Sequence, residues 1–202
     1  GQAITLLARA HMAAGRNAKA SALMQEALKA QDNPAFRSTL GLSLVGEGQT
    51  ASGIAELEAA YKKDPRQLQA ATALVQLYLR SNQAKKAVPV AEQLVKAQGN
   101  NAGFYNLLGM AQGQAANIPA SRSAFEKAIS LDANFQQAKL HLAKLEIATR
   151  AYDAATKRLN DLLQTDPKYS EAMYEMAIIA DRKGQQSDTQ RWLEKARDSA
   201  PS

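Results

Sequence analysis

Apolar side chains in this chain recur at helical spacing in stretches of about 14 residues, and the stretches come in pairs. A short segment containing Gly, Asn or Ser separates the members of each pair. Asp-Pro or a substitute follows the second member: Asp64-Pro65, Asp132-Ala133, Asp166-Pro167. Proline there ends one helix and opens the next link. At the first junction the stop is Asp32-Asn33-Pro34, displaced by two residues, and Asn33 is placed to cap a helix whose first turn contains Pro34. The pattern predicts about twelve antiparallel helices in helix–turn–helix pairs.

The pairs repeat. Gly15, Gly48, Asn82, Ala116, Arg150 and Gly184 form a series with one step of 33 residues and four of 34. Ala27, Ala60, Leu94, Ala128, Leu162 and Ala196 share those steps, and Pro65, Pro167 and Pro201 lie on multiples of 34, with Gly99 and Ala133 as the two missing members. The chain therefore divides into six repeats at residues 1–33, 34–67, 68–101, 102–135, 136–169 and 170–202, forming one array. Small side chains occupy paired positions in the two helices of each repeat: Ala8/Ala20, Gly41/Gly53, Val75/Ala87, Gly109/Ser121, Ala143/Ala155 and Ala177/Thr189. They allow close approach within a hairpin. Larger side chains fill the gaps between layers, at Leu7, Leu40, Leu74, Leu108, Leu142 and Met176 and again at Met24, Leu57, Ala91, Phe125, Leu159 and Leu193. Each hairpin then presents an apolar face that its neighbour covers, and stability is a sum over such interfaces.

The 34-residue period and these positions resemble the tetratricopeptide repeat (TPR) over essentially the whole chain. The best copy is residues 102–135, with Tyr105, Leu108, Gly109, Phe125 and Ala128. The aromatic usual at the eleventh position is present at Tyr78 and replaced by His11, Leu44, Gln112, Glu146 and Ala180 elsewhere. The resemblance implies an all-α fold, a right-handed α-solenoid or superhelix of six repeats. A narrower resemblance rests on Phe104–Gly109, Ser123–Ser130 and Trp192–Arg197, which are similar to the TPR-repeat lipoproteins of bacterial PEP-CTERM/exosortase systems. It implies a periplasmic or outer-membrane-anchored scaffold in exopolysaccharide assembly or export. The alternative is a cytoplasmic adaptor or co-chaperone. The chain opens at Gly1 in a helical pattern and reads as an excerpt of a longer array, whose N-terminal signal would separate the two.

Composition narrows the chemistry. Apolar residues make up 46% of the chain, enough for a substantial core, and aromatics only 5%. With no cysteine, disulfides, thiolate metal sites and cysteine nucleophiles are excluded. No apolar run reaches the ~20 residues of a membrane span. The net charge of +6 is diffuse: residues 1–100 carry 12 basic and 7 acidic groups, and residues 101–202 carry 13 and 12. This reads as solvated helix surface rather than a nucleic-acid footprint.

Enzyme motifs are absent, and neither a cofactor nor a metal is expected. His11 and His141 lie four repeats apart and cannot share a site. His11 sits at a packing position, and His141 reads as a surface residue. Gly41–Gly48 lacks the Gly-Lys-Ser/Thr of a phosphate loop. Glu56/Glu58 and Glu171/Glu175 read as solvated helix surface. Pro89, about six residues into a helix, should kink it or shift its start.

The TPR resemblance also implies where a partner sits: on a concave face lined by the first helix of each pair. Carried onto this chain, the groove positions include Thr5, Arg9 and Met12; Ser38, Leu42 and Val45; Thr72, Gln76, Leu79 and Arg80; Asn106, Met110 and Gln114; Leu140, Lys144 and Ile147; and Tyr174, Ile178 and Arg182. The Lys and Asn of the chaperone-type carboxylate clamp are missing, with Thr5/Arg9, Ser38/Leu42 and Thr72/Gln76 in their places. Exposed Leu42, Val45, Leu79, Met110, Leu140 and Ile178 point to an extended or helical protein segment as partner. The competing reading assigns several of them to the core. Leu193, Ala196 and Trp192 should form an apolar end surface, open to further repeats or to end-to-end self-association.

Overall fold

The computed structural model describes residues 1–199, and Pro201 and Ser202 lie outside the described residues. The helices follow the sequence pattern: α1 Gln2–Ala13, α2 Asn17–Ala30, α3 Pro34–Gly46, α4 Thr50–Lys63, α5 Leu68–Arg80, α6 Ala84–Ala97, α7 Ala102–Gln114, α8 Ile118–Leu131, α9 Gln136–Ala148, α10 Tyr152–Thr165, α11 Ser170–Arg182 and α12 Gln186–Ser199. There is no strand among the described residues. The helices form two compact units, Gly1–Gly99 and Asn100–Ser202.

Backbone geometry explains the period. Each hairpin turn has three residues, and its middle residue has positive φ: Gly15, Gly48 and Gly184, but also Asn82, Ala116 and Arg150. These six are the first repeating series. The left-handed conformation lets two N–H groups turn back onto the last turn of the first helix. In the first hairpin Gly15 donates to the Met12 carbonyl and Arg16 to the His11 carbonyl. The same pair recurs at every turn, down to Gly184 on Asp181 and Gln185 on Ala180. Glycine adopts this conformation without steric cost, and other residues do not.

The Asp-Pro links work differently. Asp64, Asp132 and Asp166 are extended residues that end α4, α8 and α10. Their carboxylates accept the N–H of the second following residue: Arg66, Asn134 and Lys168. The carboxylate thus folds the link over the proline position. At the first junction Asn33 caps α3 through the Ala35 N–H, with Pro34 opening the helix, as the sequence predicts.

The paired small residues lie at the helix–helix contacts. A Cβ on Gly41 would fall 2.8 Å from the Gly53 carbonyl oxygen and 2.7 Å from Leu57 Cγ. Ser121 donates to the Gly109 carbonyl at 2.7 Å, and a Cβ on Gly109 would strike the Phe125 ring. Met24, Leu57, Ala91, Phe125 and Leu159 are buried between layers, and so are Leu40, Leu74, Leu142 and Met176. Burying one such leucine contributes about 2 kcal/mol. Leu7 departs from its series at 51% exposed, because among the described residues α1 packs against α2 and α3 alone. Pro89 departs from expectation too. The start of α6 is not displaced, and the helix continues through Pro89, which sits on the exposed side. There the carbonyl one turn back can be solvated.

Candidate functional site

Contacts between alternate helices define an inner side in each unit. In the first unit α1 touches α3 and α3 touches α5; in the second α7 touches α9 and α9 touches α11. Among the described residues α2, α4 and α6 do not touch one another, nor do α8, α10 and α12. The first helices therefore converge where the second helices splay, so each unit bends toward its first helices. Their outward residues line the inner face.

In the first unit, Arg9, Gln76 and Arg80 are exposed on this face, and Thr5, Met12, Leu42, Val45, Thr72 and Leu79 are half-buried. Arg9 Nη2 donates to Gln69 Oε1 at 2.7 Å, joining α1 to α5. Such a reach shows how closely alternate first helices approach. A cleft of about 540 Å³ lies beside it, lined by Gln2, Thr5, Leu6, Arg9, Asn33 and Phe36 among others. Met12 packs against the cluster of Ala8, Met24 and Leu40. Ser38 is not available to a partner: it is buried, with its hydroxyl 2.6 Å from Gln67 Oε1 and 2.9 Å from the Pro34 carbonyl oxygen.

In the second unit, Gln114, Lys144, Tyr174 and Arg182 are exposed, and Met110, Ile147 and Ile178 are half-buried. Tyr174 stands out at 53% exposed, unusual for a large apolar side chain in the middle of a helix. Two groove candidates turn inward. Leu140 is buried in a core cluster with Leu159, Leu162 and Ile179, so it belongs to the floor rather than the surface. Asn106 is buried with Oδ1 2.8 Å from His141 Nδ1.

His141 is accordingly not a surface residue. Its ring packs 5.7 Å from that of Phe125, and burial, with the Lys144 ammonium nearby, pushes its pKa down to about 4. The imidazole is neutral at pH 7. With Nδ1 as the donor to Asn106, it joins α7 to α9.

The carboxylates also differ from expectation. Glu171 is exposed, but Glu175 is buried and lies 3.4 Å from Lys144 Nζ. Glu56 pairs with Arg37, and Glu58 accepts from the Tyr78 hydroxyl at 2.6 Å. That hydroxyl holds the Glu58 carboxyl below its usual range. Sequence reasoning missed the pairing of Glu146. This residue replaces the usual eleventh-position aromatic and is 1% exposed, gripped by Arg158 through Nε at 3.1 Å and Nη2 at 2.9 Å. Arg122 Nη1 adds a third contact at 3.3 Å. The signal was present: an acid at a packing position calls for cations on the adjacent helices. No carboxylate or histidine group of three suited to a metal occurs among the described residues.

Between α11 and α12 of the second unit, Leu193 is 43% exposed and lines a cleft of about 370 Å³ with Asp181, Glu194 and Arg197. Trp192 is half-buried against the core, and Ala196 is buried, so the apolar end surface is smaller than the sequence suggests. In the first unit Ile4, Leu6 and Leu7 of α1 are exposed. No described helix is long and apolar enough to cross a membrane.

Known proteins repeat this architecture. The chain is similar to a tetratricopeptide repeat protein from Parabacteroides merdae at 16% identity and a TM-score of 0.90, covering 100% of this chain and 80% of that one. It is similar to MamA (residues 41 to the end) from Desulfovibrio magneticus at 20% identity and a TM-score of 0.76, covering 83% and 96%. A third similar structure is YrrB, described as a TPR protein with an unusual peptide-binding site, at 17% identity and a TM-score of 0.65, covering 89% and 93%. Likeness at these identities concerns the fold. Among curated proteins, none matches the sequence. Family models described as tetratricopeptide repeat match residues 5–67, 44–112 and 102–135. The period, the hairpin turns and these matches agree, and the chain belongs to the tetratricopeptide-repeat family.

Proposed function

We propose that this chain is a non-catalytic scaffold that binds a protein segment on the inner faces formed by its first helices. The observation that carries this reading is the combination of converging first helices with apolar groups left partly open on them. Tyr174, Ile178, Met110 and Ile147 lie on one inner face, and Leu42, Val45, Leu79 and Met12 on the other. Tyrosine is among the residues enriched in interaction hot spots. YrrB, of the same fold, is described with a peptide-binding site, which supports a peptide-like ligand.

The test is partner capture on the immobilised chain, followed by charge insertion. Tyr174→Glu and Gln76→Glu should each weaken binding of the partner seated on their own face. Gln93→Glu, an exposed change on α6, should not. Equal effects from all three would remove the inner faces from consideration.

A finer reading places the scaffold at the bacterial envelope, in exopolysaccharide assembly or export. It rests on the similarity of residues 104–109, 123–130 and 192–197 to the PEP-CTERM-associated lipoproteins. Fractionation of the protein in its native cell decides it: lipid attachment and a membrane fraction support the envelope, and a cytosolic pool supports an adaptor.

A further inference from the structure

Charge is distributed unequally between the two sides of the first unit. Its residues carry seven acidic groups: Glu26, Asp32, Glu47, Glu56, Glu58, Asp64 and Glu92. Every one lies on a second helix or a connection, and α1, α3 and α5 contain none. The same three helices carry Arg9, Arg37 and Arg80. Arg37 is turned to Asp32 and Glu56 and is neutralised there. Among the described residues Arg9 donates to the neutral Gln69 amide, and neither Arg9 nor the exposed Arg80 is in an ion pair. Glu47 lies just past the end of α3, with Gln49 Nε2 donating to its Oε2. The inner helices of the second unit are unlike this, since α9 and α11 carry Glu146, Glu171, Glu175 and Asp181.

We infer that the inner face of the first unit takes an acidic protein segment, held by Arg9 and Arg80 through internal side-chain carboxylates. This deepens the scaffold reading above and rests on it. Spacing gives the ligand further definition. Arg9 is tied to Gln69 at the start of α5, and Arg80 ends that helix. Eleven residues of helix between them rise about 16 Å. An extended segment covers that distance in about five residues. Two acids about five positions apart can therefore reach both guanidinium groups, with the residues between them over Thr72 and Gln76. Each guanidinium can engage a carboxylate through two parallel hydrogen bonds. A nucleic-acid strand fits less well. Two separated cations neutralise few phosphates, and the aromatics of these helices, Phe36 and Tyr78, are buried and cannot stack on bases.

The test is selection of randomised dodecapeptides on the full chain and on its Arg9→Gln and Arg80→Gln variants, with thermal melts confirming that both fold. The wild type should enrich peptides with Asp or Glu at a spacing of four to six. Against one enriched peptide, each substitution should lower affinity about five-fold and flatten the salt dependence. Replacing the peptide's acids with amides should do the same, whereas amidating its C-terminus should not. Enrichment of neutral or basic peptides that Thr72→Glu abolishes would overturn the acidic partner and leave the scaffold reading standing. Enrichment of nothing would overturn both. An oligonucleotide that competes as well as the peptide would overturn the choice of a protein segment.

Discussion

The six left-handed turn residues offer opposite perturbations at equivalent positions. Gly48 has φ +82°, and a Cβ built on it meets nothing within 4 Å. Gly48→Ala therefore costs backbone conformation alone. A left-handed L-residue costs roughly 1–2 kcal/mol, and the smaller unfolded-state entropy of alanine returns roughly 0.5–1 kcal/mol. The net loss is about 1 kcal/mol. Ala116, at φ 62°, already bears this strain, as does Arg150 at φ 61°. Ala116→Gly and Arg150→Gly should therefore gain about 0.5–1 kcal/mol each, and Asn82→Gly less, because asparagine tolerates the conformation. In a chain of this size that is about 2–4 °C in melting temperature per kcal/mol. Urea unfolding followed by circular dichroism, fitted with a common m-value, reads the midpoints. Destabilisation by Ala116→Gly, or neutrality of Gly48→Ala, would refute the account of what sets the period.

Other residues give predictions with different causes. Gly41→Ala places a Cβ against Gly53 carbonyl and Leu57, so it should cost about 2–3 kcal/mol by overpacking, more than Gly48→Ala in the same unfolding assay. Glu146→Ala leaves Arg158 and Arg122 without their shared partner. Since both are partly solvated, the loss should be about 2 kcal/mol, read as a lower urea midpoint. For His141 the folded pKa of about 4 lies below the ordinary 6.5, so the unfolded chain binds the extra proton first. Its contribution, about 2–4 kcal/mol in full, is therefore present above pH 6.5 and lost as pH falls toward 4. His141→Gln should remove that component, which the difference between wild-type and variant stability at pH 7 and pH 4 measures.

Fold and site were legible to different degrees. The period could be read because turn, link and contact each impose one residue type: Gly15 and Gly48 for positive φ, Asp64-Pro65 for the link, Gly41 and Gly53 for close approach. Arg150 and Ala116 kept their place in the series although neither looks like a turn residue, since the neighbouring repeats fix the phase. The site was less legible, because a helix position gives a face but not the depth of a side chain. Leu140 and Asn106 share a face with Lys144 and Met110, yet the first two are covered. Pairing was hidden as well: Glu146 and Arg158 are in different helices, and Asn106 and His141 are in different repeats. Only the packed hairpins bring them together.

Site-specific photo-crosslinking shows whether partners bind where the first helices converge. A photoreactive amino acid replaces Gln76 or Tyr174 on the inner faces, or Gln93 or Gln164 on exposed positions of the second helices. A captured partner should crosslink at Gln76 or Tyr174 and at neither outer position. A partner that crosslinks at Gln93 or Gln164 while the inner positions stay silent would contradict binding on the inner faces.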